Sequence, residues 1–172
     1  MSTHYFGIRI DFVLRDWFQE AFLPELREKY GDDVQIAAIV APHQYWAIPE
    51  ECFAHLPQPI LSSTGGTAVE LGENVRRKLR FVLRTGLPSS FARQRPDLVE
   101  PGDFPWAGAG VYKGYVGGVS GLNEESDWWA FERIVDRLIE LRTAAALPAI
   151  QASKDRIEGW KYLEGGGNPP QS

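Results

Sequence analysis

Seven basic side chains, Arg76, Arg77, Lys78, Arg80, Arg84, Arg93 and Arg95, fall between Asn74 and Pro96 with no acid among them. Guanidinium and ammonium groups at that density can fix an anion such as a carboxylate, propionate or phosphate, and arginine's planar fork suits such groups. The competing reading is a solvated helix face whose arginines pair with the acids that follow, Asp97, Glu100 and Asp103. Just upstream, Ser62-Ser63-Thr64-Gly65-Gly66 leads into a helix, where the N–H groups of Gly65 and Gly66 could cradle an anion at the positive end of the dipole. Thr67 and Glu70 have capping-box spacing, so capping explains the same residues without a ligand. Asp97, Glu100 and Asp103 lie in a Pro-rich loop without a helical period, and read as solvated charge rather than as an acid–base group.

Other chemistries are poorly served. Ser120 lacks the glycine that a nucleophile elbow needs two residues on, since Leu122 stands there, and a packing role fits it better. His4, His43 and His55 have no close ligand spacing, HExxH is absent, and the lone Cys52 cannot build a thiolate cluster. His43 and His55 remain as candidate axial ligands of a haem, or as ordinary hydrogen-bonding loop residues. Six tryptophans call for core, interface or ligand-stacking positions. Trp106 and Tyr112 are the candidates for stacking on a flat ligand.

The elements that would position these groups alternate along the chain. Phe6, Ile8, Ile10 and Phe12 have the period of a half-buried strand, and Leu14, Trp17, Phe18, Ala21 and Phe22 that of a helix broken or kinked at Pro24. Val34–Val40 reads as a buried strand, and Trp46–Ile48 as a return strand. Ala68, Leu71, Val75, Leu79, Val82 and Leu83 mark the inner face of the basic helix. Residues 85–105 form a long surface loop, of the sort that is disproportionately functional. Two Gly-rich strands then meet at a Lys113-Gly114 turn, and their missing side chains call for close approach of a ligand or of a helix. Asn123 caps a final helix with Trp128, Phe131, Ile134, Val135, Leu138 and Leu141 inward, interrupted at Pro148.

Composition sets the limits. With 172 residues, 44% hydrophobic and 24% charged, the chain is expected to form one α/β domain over residues 1–163 and a flexible tail over 164–172. A net charge of −5 disfavours nucleic acid as a partner, and a single cysteine excludes an internal disulfide. No membrane partner is expected, because no apolar run spans a bilayer, and with no signal-like start the expected location is the cytoplasm.

The stretch GVYKGYVGGVSGLNEESD, Gly110 to Asp127, resembles the GlcG/HbpS-like family, also called the haem-degrading-domain family. The resemblance rests on Gly118, Val119, Ser120 and Gly121, then Asp127 six residues later at the opening of the last helix, and upstream on Phe81 and Pro88-Ser89. It implies an α+β, profilin-like antiparallel sheet of about five strands with helices packed on it. It also implies a homo-oligomer and a small-molecule ligand, haem or another anionic tetrapyrrole in some members. Arg77 and Lys78 both stand where the family's basic residue of the middle helix would fall. On that view Arg77 and Lys78 pair with ligand carboxylates. Two alternatives stay open, an enzyme acting on a small carboxylate-bearing substrate and a purely structural homo-oligomer.

Overall fold

The computed structural model describes residues 10, 12–42, 60–63 and 67–164. Among them are four strands, β1 (Ala37–Pro42), β2 (Ile60–Ser62), β3 (Ala109–Tyr112) and β4 (Tyr115–Ser120). They form one antiparallel sheet in the order β2-β1-β4-β3, with helices on both faces. The arrangement is a mixed α+β one with four described strands rather than about five. The return strand expected at Trp46–Ile48 lies outside the described residues.

β1 sets the layering. Its sequence is short and apolar throughout, and successive side chains of a strand point to opposite faces. Ala38 and Val40 join one core with Val119, while Ile39 and Ala41 join a second with Val116. The first core is closed by Leu14, Phe18, Phe22 and Leu26 from the N-terminal helical segment and by Phe131, Ile134, Val135 and Leu138. The second is closed by Val75, Leu79 and Val82 of α2 (Ala68–Thr85). The sheet is thus buried on both sides, which is why β1 alternates in direction but not in polarity.

The N-terminal segment departs from the alternation reading. Ile10 and residues 12–17 are helical, so Phe6–Phe12 is not a strand where it is described. Pro24 does not break this helix either. A π-helical turn, Phe18–Phe22, runs into α1 (Leu23–Tyr30), with the Leu23 N–H donating to the Phe18 carbonyl. Proline has no N–H to give, and the wider turn absorbs the mismatch while keeping Phe18, Phe22 and Leu26 inward.

The hairpin between β3 and β4 closes with Lys113 at φ 47° and Gly114 at φ 81°. Two positive φ values in a two-residue loop are those of a turn that matches strand twist. Tyr112 pairs with Tyr115 across it. Gly110 and Gly117 serve helix packing. A Cβ on Gly117 would stand 2.7 Å from the Phe131 ring of α3 (Glu124–Glu164), so only glycine lets the helix lie this close.

Asn123 caps α3 as expected, its Oδ1 accepting the Ser126 N–H at 2.9 Å. The helix passes through Pro148 without ending, and its 41 residues outrun the body of the domain. Beyond Leu141 most side chains are exposed as far as residue 155, Leu147 and Ile150 among them. No described helix is long and apolar enough to cross a membrane. The tail, residues 165–172, lies outside the described residues.

Candidate functional site

One member of the basic run of α2, Lys78, is buried, while Arg76 and Arg84 stay exposed and pair with nearby acids. Lys78 sits on the buried face, 1% exposed, and its Nζ donates to the Val119 carbonyl and to Asp127 Oδ2, each at 2.8 Å. Asp127 Oδ1 in turn accepts the Leu122 N–H at 2.9 Å. Burial pushes the Asp127 carboxyl up against the pull of Lys78. This pair ties α2, on one face of the sheet, to the start of α3 on the other. Gly108 lies beneath it, where a Cβ would meet Asp127 Cβ at 2.6 Å and Lys78 Nζ at 3.1 Å.

The loop over residues 85–105 is anchored rather than loose. Arg84 reaches Asp103 at 2.6 Å, Glu100 at 3.2 Å and the Leu98 carbonyl at 2.8 Å. Burial works to raise the Asp103 carboxyl, but the Arg84 hydrogen bonds, the Glu100 N–H and the Arg84 and Arg80 charges outweigh it. The carboxyl stays below its ordinary value. Asp103 is therefore not solvated charge, whereas Asp97, paired with Arg95 at 2.7 Å, and Glu100 are exposed. Ser89 is buried and accepts the Ala109 N–H at 3.0 Å, which joins the loop to the edge of β3.

Two of the expected site residues come together through a residue the sequence did not single out. Arg77 donates from Nε to the Gly102 carbonyl at 2.9 Å, and its guanidinium lies 5.4 Å from the centre of the Phe104 ring. Phe104 in turn lies 6.3 Å from Trp106, whose other neighbour is the Arg93 guanidinium at 5.0 Å. The result is an alternating strip, Arg77–Phe104–Trp106–Arg93, with Trp106 46% exposed. Arg93 continues into an ion pair with Glu124 at the start of α3.

Beside the strip is a cavity of about 420 Å³ between the Pro88–Ser90 turn, the start of β3 and the first turns of α3. Ala107, Gly108, Ala109 and Trp128 line it, with Ser90, Glu124 and Glu125 supplying its polar atoms. Trp128 packs against Gly110, where a Cβ would come within 3.0 Å of the ring, so this glycine does admit an aromatic side chain. A second, more polar cleft of about 630 Å³ lies across the turn before α3, lined by Asp32, Asp33, Gln35, Thr67 and Asn123 among others.

Tyr112 is not part of this constellation. It stands at the hairpin, packs towards the core opposite to α2, and carries Lys113 over its ring at 5.0 Å. Thr67 forms no cap, and its hydroxyl donates instead to Gln35 Oε1 at 3.1 Å. Gly65, Gly66, His43 and His55 lie outside the described residues. Among the described residues no group of three or more His, Cys, Asp or Glu is placed to hold a metal.

The fold and site together define an α+β domain with a ligand-sized apolar cavity beside an exposed aromatic–guanidinium strip. No family model, curated protein or solved structure matches the chain.

Proposed function

We propose that this chain is a small-ligand-binding protein of the GlcG/HbpS-like type, built on a profilin-like sheet. Its ligand is a flat, anionic molecule, haem or a related tetrapyrrole. The observation that carries this reading is the exposed Trp106 ring, flanked by Phe104 and the Arg93 guanidinium, with Arg77 on Phe104, and next in sequence to Ala107 of the Trp128 cavity. An exposed indole gives a π-face to stack on, and Arg93 beside it, with Arg77 one ring further along the strip, gives carboxylates a place to pair. At about 420 Å³ the cavity takes an edge of a tetrapyrrole, with the rest of the macrocycle lying over Trp106.

A haemin titration followed by absorbance tests it. A Soret band that sharpens and saturates near one haem per chain, and that loses about 2- to 10-fold in affinity in Trp106→Ala, supports the reading. Weakening of the band in His43→Ala or His55→Ala would identify the axial ligand. Binding that never saturates, or that ignores Trp106, overturns it.

The homo-oligomer belongs to the same proposal. Leu147 and Ile150, 56% and 49% exposed one turn apart on the overhanging part of α3, support it, and light scattering on the purified chain tests it.

A further inference from the structure

Arg93 and Glu124 come from segments 31 residues apart and meet at the mouth of the Trp128 cavity. Their geometry is unusual for such a pair. Both carboxylate oxygens of Glu124 face a single nitrogen, Nη2. A guanidinium offers a carboxylate two edges that each donate a pair of hydrogen bonds, Nε–Nη2 and Nη1–Nη2, and both include Nη2, so Glu124 sits on the nitrogen the two edges share and uses neither in full. The guanidinium itself lies over the Trp106 ring, with half of the Arg93 side chain exposed.

Glu124 is also not needed where it stands. Asn123 already accepts the Ser126 N–H, and Asp127 already accepts the Leu122 N–H, so the start of α3 is satisfied without it. Glu125 and Asp127 put two further carboxylates into the same first turn, ample to answer the helix dipole. What Glu124 does that its neighbours do not is hold Arg93.

Building on the ligand-binding reading above, we propose that Glu124 occupies Arg93 in place of a ligand carboxylate, and that the site takes aromatic carboxylic acids. The aromatic body stacks on Trp106 and enters the Trp128 cavity. Its carboxylate then takes the Nε–Nη2 edge of Arg93 and, because Glu124 holds Nη2, displaces Glu124 towards solvent. Glu124 thereby sets the affinity threshold of the site, and only a ligand that offers both a ring and an anion exceeds it.

The consequence runs against ordinary expectation for a pocket residue, because removing the Glu124 charge tightens binding. The probes are indole-3-acetate and its neutral amide, titrated calorimetrically into the parent protein, Glu124→Gln, Arg93→Met and the double variant. Expected is about a tenfold gain for the acid in Glu124→Gln, no gain for the amide, and no gain for the acid when Arg93 is also replaced. Equal or weaker binding of the acid by Glu124→Gln, or a gain that persists without Arg93, overturns this inference and leaves the ligand-binding reading standing. If neither probe nor haemin binds the parent or Glu124→Gln, both fall.

Discussion

Replacing Lys78 tests the central claim about this fold, that the most buried cation among the described residues is structural. Lys78 and Asp127 are 1% and 4% exposed in their side chains and 2.8 Å apart. Lys78→Met fills similar space but strands the Asp127 carboxylate, leaving it only the Leu122 N–H. Breaking a buried pair from one side costs about 3–5 kcal/mol, because the remaining charge stays desolvated. Asp127→Asn strands the ammonium in turn, with only the Val119 carbonyl beside it, and the same range applies. The double variant leaves no unpaired charge, and loses chiefly the hydrogen bond to Val119 and some packing, about 1–3 kcal/mol. The two positions should therefore couple by about 2 kcal/mol or more in a double-mutant cycle.

Urea unfolding followed by tryptophan fluorescence gives these numbers directly, provided the m-value is unchanged. At about 2–4 °C per kcal/mol for a chain of this size, each single variant melts roughly 6–20 °C below the parent. A Lys78→Met protein melting within about 2 °C of the parent would refute the reasoning. So would strictly additive losses, since these would mean that neither charge depends on the other.

Other consequences are independent of that pair. Gly108→Ala puts a methyl group 2.6 Å from Asp127 Cβ at φ +106°, and should cost about 3 kcal/mol or more by the same urea assay. The depressed Asp103 carboxyl adds stability that is fully present above its unfolded pKa of about 3.9 and is lost as the pH falls through its lower folded value. Asp103→Asn should accordingly be less stable than the parent at pH 7 but lose less on acidification from pH 5 to pH 2, as unfolding at each pH will show. Pro148→Ala removes an imino acid from inside α3, worth about 3 kcal/mol locally, and should slow amide exchange near residues 144–150 without moving the melting of the domain body.

Local chemistry was legible where one signal acted alone. The Lys113-Gly114 turn and the Asn123 cap depend on residues adjacent in sequence, and both stand as expected. The N-terminus misled because two periods overlapped there. Ile10 and Leu14 are also one helical turn apart, and the helical period continues through Phe18 and Phe22. Lys78 carried a readable signal as well. It lies three residues after Val75 and four before Val82, on the apolar face of α2, while Arg76 falls on the exposed side. Periodicity therefore separates the structural cation from its neighbours, although charge composition alone pools them. The Arg93–Glu124 pair had no such signal, because the contact depends on how a loop folds back against a helix 31 residues away.

The same comparison bears on what the Gly-Val-Ser-Gly segment and Asp127 report. Lys78 donates to the carbonyl of Val119 within that segment and to Asp127 after it, and Gly108 makes room for the pair. Gly117 admits Phe131, and Gly110 admits Trp128. Each of these residues joins sheet to helix, and Gly108 and Trp128 also line the cavity beside the strip. Within Gly110–Asp127, the glycines and Asp127 thus have an architectural role in this chain. Arg77, Arg93 and Trp106 lie outside that segment and Glu124, which holds Arg93, lies inside it, so scaffold and proposed ligand contacts meet at the start of α3.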